Sequence, residues 1–308
     1  MKKNNIIFMG TPDFAVESLK VLIKSNYNIL GVVTATDKKR GRGKKISFSP
    51  IKNFAIKNNI PIYQPKNLKS EEFINLMKKI KPDLLVVVAF RMLPEILINI
   101  PKYGSINLHA SLLPNYRGAA PINWVIINGE RETGVTVFFI NKKIDEGDII
   151  NKKKISISED ETAGSLHDKL MKEGAELLKD SIKNIFTKNI KREIQKITIK
   201  DIKAPKIQKK DCFIDFDLDD KNIIQLIKGL SPYPGARIIH NKKVFKIIDA
   251  KNTNNYVAEI GLNQIEDKII LNNNDRESIQ ITKIQEEGKK ILNVKEYLKG
   301  NKLWRISQ

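Results

Sequence analysis

Asp83-Leu84-Leu85-Val86-Val87-Val88-Ala89 is a nearly unbroken apolar run of strand length. A run that does not alternate between apolar and polar residues suits a parallel strand covered on both faces. Its surroundings fit. Asn5–Met9, Asn28–Thr34, Ser105–His109 and Gly134–Ile140 read as further strands. Between them Phe14–Ser25, Pro50–Asn59, Ser70–Lys79, Ala119–Asn128 and Thr162–Phe186 carry helical patterning. Alternation of this kind predicts a doubly wound, mostly parallel α/β sheet.

The pattern changes after the long helix. Thr187–Lys203 is Lys-rich, lacks a clear core face and reads as a linker. Beyond it lie short apolar segments at Cys212–Phe216, Val244–Ala250, Val257–Ile260, Lys268–Leu271 and Ser278–Gln285, with one helix at Lys221–Leu230. Turn residues such as Asn272-Asn273-Asn274-Asp275 separate them. A small antiparallel barrel with one helix is expected here. The 308 residues suit about two domains at roughly 150 residues each: a first at 1–186, a basic linker at 187–203 and a second at 204–308.

Composition narrows the function classes. The single cysteine, Cys212, excludes an internal disulfide and a cysteine metal cluster, as expected of a reducing compartment. His109, His167 and His240 lack zinc spacing, so no metal is expected. Lys2 and Lys3 precede only Ile6–Met9 before Gly10-Thr11-Pro12, too short for a signal core, and no run approaches the ~20 apolar residues of a spanning helix. A cytoplasmic protein without membrane contact is expected. The net charge of +20 favours a polyanionic partner, although abundant lysine also serves as plain solvated surface. Gly10-Thr11-Pro12 lacks the second and third glycines of a dinucleotide fingerprint and reads instead as a tight strand-to-helix turn.

Two local features carry chemistry. Lys38-Lys39-Arg40-Gly41-Arg42-Gly43-Lys44-Lys45 contains only basic residues and glycine, which suits contact with a phosphate backbone; the plain alternative is a solvated loop. Asn107 and His109 stand two apart at a strand end, so their side chains share a face while Ile106 and Leu108 point into the core. An amide beside an imidazole can stabilise an oxyanion and move a proton. Leu112-Leu113-Pro114 forms an apolar ledge beside the pair, and Asn115–Pro121 is a turn punctuated by Gly118 and Pro121. An acid from Ile144–Ile149 could orient the imidazole; by spacing alone Asp145, Glu146 and Asp148 compete.

The block Asn107-x-His109-x-Ser111-Leu112-Leu113-Pro114-x-Tyr116-Arg117-Gly118-Ala119-Ala120-Pro121 resembles the folate-dependent formyltransferases. Gly10–Ala15, Gly41–Lys45, Asp145-x-Gly147-Asp148, Ala204–Ile207 and Ser231–Ala236 extend the resemblance along the chain and narrow it to the methionyl-tRNA formyltransferases. The resemblance implies a Rossmann-like catalytic domain followed by an OB-like β-barrel that binds tRNA. It implies formyl transfer from 10-formyltetrahydrofolate to the methionine of initiator tRNA by a monomeric enzyme of translation initiation. It carries catalysis to Asn107, His109 and Asp145. It carries folate contact to Ser111, Leu112, Leu113, Pro114 and to Phe90 and Arg91, where the family commonly has Tyr-Gly. It carries tRNA contact to Lys38, Lys39, Arg40, Arg42, Lys44 and Lys45. The closest rival is a formyltransferase acting on a nucleotide-sugar amine. In the expected reaction Asn107 and His109 donate to the oxyanion while Asp145 orients His109.

Overall fold

The computed structural model describes residues 4–40, 45–196, 198–199, 201–254, 259–273 and 278–301, and only the backbone of Lys39, Arg40 and Lys45. The chain divides into two compact units that interleave in sequence: one of 1–118, 132–156 and 167–203, the other of 119–131, 157–166 and 204–308.

The first unit holds β1 (Asn5–Gly10), α1 (Asp13–Lys24), β2 (Asn28–Val33), β3 (Lys38–Arg40), β4 (Lys45–Ser47), α2 (Pro50–Lys57), β5 (Ile62–Tyr63), α3 (Glu71–Ile80), β6 (Leu84–Val88), α4 (Glu95–Ile98), β7 (Ser105–His109), the short β8 (Arg117–Gly118), β9 (Glu132–Phe139) and β10 (Ile149–Ser156). Its seven-stranded sheet has the order β10-β9-β7-β6-β1-β2-β5. Pairings from β7 to β5 are parallel, and β9 and β10 add an antiparallel edge. All five residues of β6 are buried, as its unbroken apolar run requires. Gly10 ends β1 because a Cβ there would lie 2.6 Å from Ala15 Cβ; the turn reading of that glycine is the right one. The long helix α6 (Ala163–Phe186) buries Leu170, Leu178 and Ile182. At Gly174 a Cβ would stand 2.9 Å from Leu108 Cδ2, so the missing side chain lets the helix approach β7. Burying a side chain such as Leu108, 3% exposed, contributes ~1.5–3 kcal/mol.

β10 was not expected from the sequence. Its stretch Asn151-Lys152-Lys153-Lys154 hides the strand pattern, because this edge strand exposes its lysines. Thr187–Lys203 is more than a linker: Ile149 and Glu193 exchange backbone hydrogen bonds of 2.8 and 2.9 Å, which fasten the segment to the start of β10.

The second unit gathers α5 (Pro121–Ile127), α7 (Asp220–Leu230) and α8 (Val294–Gly300) with β12 (Ala236–His240), β13 (Lys243–Asn252), β14 (Gly261–Ile265), β15 (Lys268–Asn272), β16 (Ser278–Glu286) and β17 (Leu292–Asn293); β11 (Lys203–Ala204) straddles the division. Its antiparallel sheet runs β12-β13-β16-β15-β14, with β17 also on β16. The sequence predicts a small antiparallel barrel with one helix; the sheet is antiparallel and curled, as a half-barrel, and α8 is a second helix within 204–308. Two expected strands need correction. Cys212–Phe216 begins in a 3₁₀ turn, Lys210–Cys212, because Asp211 caps the Gln208 amide at 2.7 Å. The strand placed at Val257–Ile260 starts at Gly261, and 255–258 lie outside the described residues. Helix α5 packs on α7 at Gly229, where a Cβ would meet Ile127 Cγ1 at 2.4 Å. Asn123 Nδ2 donates to the Gly229 carbonyl at 2.7 Å and Trp124 Nε1 to that of Pro205 at 2.8 Å.

Candidate active site

Strand β7 pairs with parallel β6 on one side and antiparallel β9 on the other, which sets Asn107 opposite Val87 and Phe138 and His109 opposite Thr136. Ile106 and Leu108 are buried at 0% and 3% exposure, so the strand alternation puts Asn107 and His109 together on the other face. Asn107 is half-buried, and among the described residues no hydrogen bond engages its amide. A half-buried amide with no protein partner is ready for an oxygen of a ligand.

His109 is held at one nitrogen and faces an acid with the other. Nε2 lies 2.8 Å from the Tyr116 carbonyl oxygen. A carbonyl can only accept, so the ring proton sits on Nε2. Nδ1 faces Asp145 Oδ2 at 3.8 Å, and a proton taken up there would lie opposite a carboxylate. Nε2 is therefore already engaged by a backbone carbonyl. Tyr116 presents its carbonyl from a left-handed conformation, φ 59°, which few non-glycine residues adopt. Thr136 Oγ1 donates to the Ser111 carbonyl at 2.6 Å, and Ser111 Oγ donates to the Asn115 carbonyl at 2.7 Å, so the turn after β7 is bound at both ends.

Asp145 is the acid that the backbone aims at His109. It too is left-handed, φ 55°, and its Oδ2 accepts the Gly118 amide at 3.0 Å. Glu146 turns to Arg117 Nη1 at 2.8 Å, and Arg117 Nη2 reaches Asp201 at 3.4 Å. Gln195, 8% exposed, donates from Nε2 to the carbonyls of Asp145 at 2.9 Å and Gly147 at 2.7 Å. Sequence reasoning missed Gln195. It stands alone in a Lys-rich stretch, and no periodicity or motif signals it.

The expected folate residues divide. Ser111 is fully buried, and Leu113 packs with Phe138 and Ile149 in a small core cluster, so the ledge is largely interior; Leu112 and Pro114 stay half-buried. Phe90 packs against the core below β6. Arg91 is exposed and donates to the carbonyls of Pro65 at 2.8 Å and Lys66 at 3.1 Å.

The basic segment is a β-hairpin at its base. β3 pairs antiparallel with β4, Lys38 opposite Ser47 and Arg40 opposite Lys45. Lys38 is exposed. Arg42 and Lys44 lie outside the described residues, as do the side chains of Lys39, Arg40 and Lys45. Asp37, at the hairpin's entry, accepts from Lys52 Nζ of α2 at 2.6 Å and from Gln64 Nε2 at 2.9 Å. The Lys52 hydrogen bond, then that of Gln64, holds the Asp37 carboxyl below its ordinary range. Cys212 is buried, and burial pushes its thiol up, the opposite of an activated nucleophile. Among the described residues no group of three His, Cys, Asp or Glu gathers as a metal site.

Residues 3–182 match the family described as formyl transferase, and residues 206–302 match the formyl transferase C-terminal domain. A methionyl-tRNA formyltransferase of Clostridioides difficile is 45% identical over 302 residues, 96% of each chain. One of Flavobacterium johnsoniae is 47% identical over 309 residues, 97% of each chain. Among solved structures, an N-formyltransferase of Helicobacter canadensis in complex with folinic acid and dTDP-3-aminofucose aligns with a TM-score of 0.68 at 23% identity, covering 92% of this chain and 99% of that one. A sugar 3N-formyl transferase, solved in the presence of dTDP and 5-N-formyl-THF, aligns with a TM-score of 0.65 at 24% identity over 94% and 100%. At that identity the two structures speak for the fold alone.

Proposed function

The chain belongs to the formyl transferase family, and we propose that its reaction runs at Asn107, His109 and Asp145. It formylates the methionine carried by initiator tRNA, the activity for which its full-length relatives are named. The formyl donor in this reading is 10-formyltetrahydrofolate, in keeping with the folinic acid complexed by the Helicobacter canadensis N-formyltransferase. Ser111–Pro114, Phe90 and Arg91 border its place. The hairpin residues Lys38, Lys39, Arg40, Arg42, Lys44 and Lys45, with the domain at 204–308, receive the tRNA. No helix among the described residues is long and apolar enough to cross a membrane. In this reading the enzyme works as a monomer in the cytoplasm, where translation begins.

The single observation that carries the chemistry is the division of labour at β7: a half-buried Asn107 amide without a partner among the described residues, beside a His109 whose Nδ1 faces Asp145 at 3.8 Å. The methionine amine attacks the formyl carbon, a C–N bond forms, and the carbonyl oxygen becomes an oxyanion. Asn107 Nδ2 donates to that oxygen. The amine proton passes to His109 Nδ1, where Asp145 lies opposite the charge. Collapse of the oxyanion breaks the bond to the donor nitrogen, which recovers the proton. Because Nε2 is held by Tyr116, the oxyanion role narrows to Asn107 and His109 becomes the proton carrier.

Incubation with 10-formyltetrahydrofolate and charged initiator tRNA should yield formylmethionine, with a dTDP-amino sugar as the rival acceptor; formylation of the sugar alone would replace this reading. Asn107→Ala should lower kcat by ~10²–10³, the usual cost of one oxyanion donor. Near-normal turnover would remove Asn107 from the mechanism.

A further inference from the structure

We infer that Gln195 is a positioning residue for Asp145, so that a segment of chain 50 residues downstream is an integral part of the active site. The inference rests on the reading of Asp145 as the partner of His109.

The acid loop between β9 and β10 is held from three directions. Gly118 N grips the Asp145 carboxylate, and Arg117 grips Glu146. Among the described residues Gln195 alone grips the backbone carbonyls of Asp145 and Gly147, spending both protons of one amide nitrogen at 2.9 and 2.7 Å. Those carbonyls flank the turn that throws Asp145 into the left-handed region, a sparsely populated conformation that persists only when its surroundings over-determine it. Gly147 leaves the loop one path, since a Cβ would sit 1.6 Å from the Phe139 carbonyl oxygen. Gln195 itself arrives in register because Glu193, two residues earlier, is doubly bonded to Ile149. Burial makes the arrangement exacting: with Gln195 truncated, two inward carbonyls lose their donor. The carboxylate would then settle away from Nδ1.

The test is a cycle of Gln195→Leu and Asp145→Asn in the full-length enzyme, with Gln195→Glu as a second variant that keeps the side-chain shape but, as a carboxylate, cannot donate. If Gln195 acts through Asp145, each Gln195 variant lowers kcat about tenfold, the effect of a shift smaller than the 1 Å misplacement that costs about 10²-fold. KM for tRNA and for the folate should stay within about twofold, and the pH profile of kcat should move in the same direction as in Asp145→Asn. In the Asp145→Asn background Gln195→Leu should cost almost nothing further, since coupled residues are non-additive. Losses that multiply, or a fall in kcat with an unmoved pH profile, would reduce Gln195 to a structural residue. If Gln195→Leu fails to fold, the same readings are taken on Gln195→Glu. Wild-type turnover by Asp145→Asn would instead overturn the underlying reading of the acid, an outcome separable from failure of Gln195 alone.

Discussion

At Gly147 one missing methyl group decides whether the acid loop can close. The position a Cβ would take is 1.6 Å from the Phe139 carbonyl oxygen and 2.8 Å from its carbon, both backbone atoms that cannot swing aside. Gly147→Ala must therefore push the loop away from β9, at a cost of at least ~1–3 kcal/mol, the scale of an overpacked site. The expected result is a kcat at least tenfold lower together with a lower melting temperature; an unchanged kcat with wild-type melting would show that the loop has another path. The same residue scale shows the limit of sequence reading. The Asn107–His109 pair was legible because strand alternation is a fixed period of two. The choice among Asp145, Glu146 and Asp148 was not legible from spacing, since the φ of 55° at Asp145 decides it. The commitment of His109 Nε2 to Tyr116 depends on a turn conformation that no periodicity encodes.

At the scale of the element, the basic hairpin has an acid at its root, and this acid can be made to report on the hairpin. Both oxygens of Asp37 are already occupied, by Lys52 and Gln64. Gln64 also donates to the Ala35 carbonyl at 2.7 Å. On the exit side Ser49 caps α2 at Lys52 N and lies 2.9 Å from Thr34 Oγ1. These contacts tie the two stems of the hairpin together. Asp37→Asn raises the net charge by one. A purely electrostatic attraction would then lower KM for tRNA, whereas a loosened hairpin root would raise it. We expect a rise of about threefold, mid-range for a partly exposed ion pair, with kcat unchanged; a fall in KM would exclude the clamp. The pH dependence follows from the depressed Asp37 carboxyl. A depressed carboxyl contributes stability above the unfolded value, and this is lost only as pH falls through the lower folded value. KM for tRNA should accordingly stay flat down to the ordinary carboxylate range and rise below it. β6, by its unbroken apolar run, and α6, by its helical period, were readable from the sequence. β10 was not, because it exposes its lysines.

At the scale of the whole molecule, the net charge of +20 could act as a diffuse field or through a few phosphate contacts, and salt separates the two. A diffuse field decays over a Debye length of ~8–10 Å at ordinary salt and is shared among 55 basic residues, so removing two of them should barely alter the salt dependence. Direct contacts release condensed counterions, and each contributes about 0.7–0.9 to the slope of log affinity against log salt. Arg42→Ala combined with Lys44→Ala is therefore expected to raise KM for tRNA and to flatten that slope by about 1.5, leaving kcat at saturating tRNA and KM for the folate unchanged. Lys142→Ala combined with Lys143→Ala, two exposed lysines in the loop between β9 and β10, removes the same charge from outside the hairpin and should leave the slope as it was. Equal flattening by both pairs would mean that the surplus charge attracts tRNA as a field, with the hairpin as one part of it. Flattening confined to Arg42 and Lys44 would make the hairpin the element through which the charge of the molecule becomes a docking site.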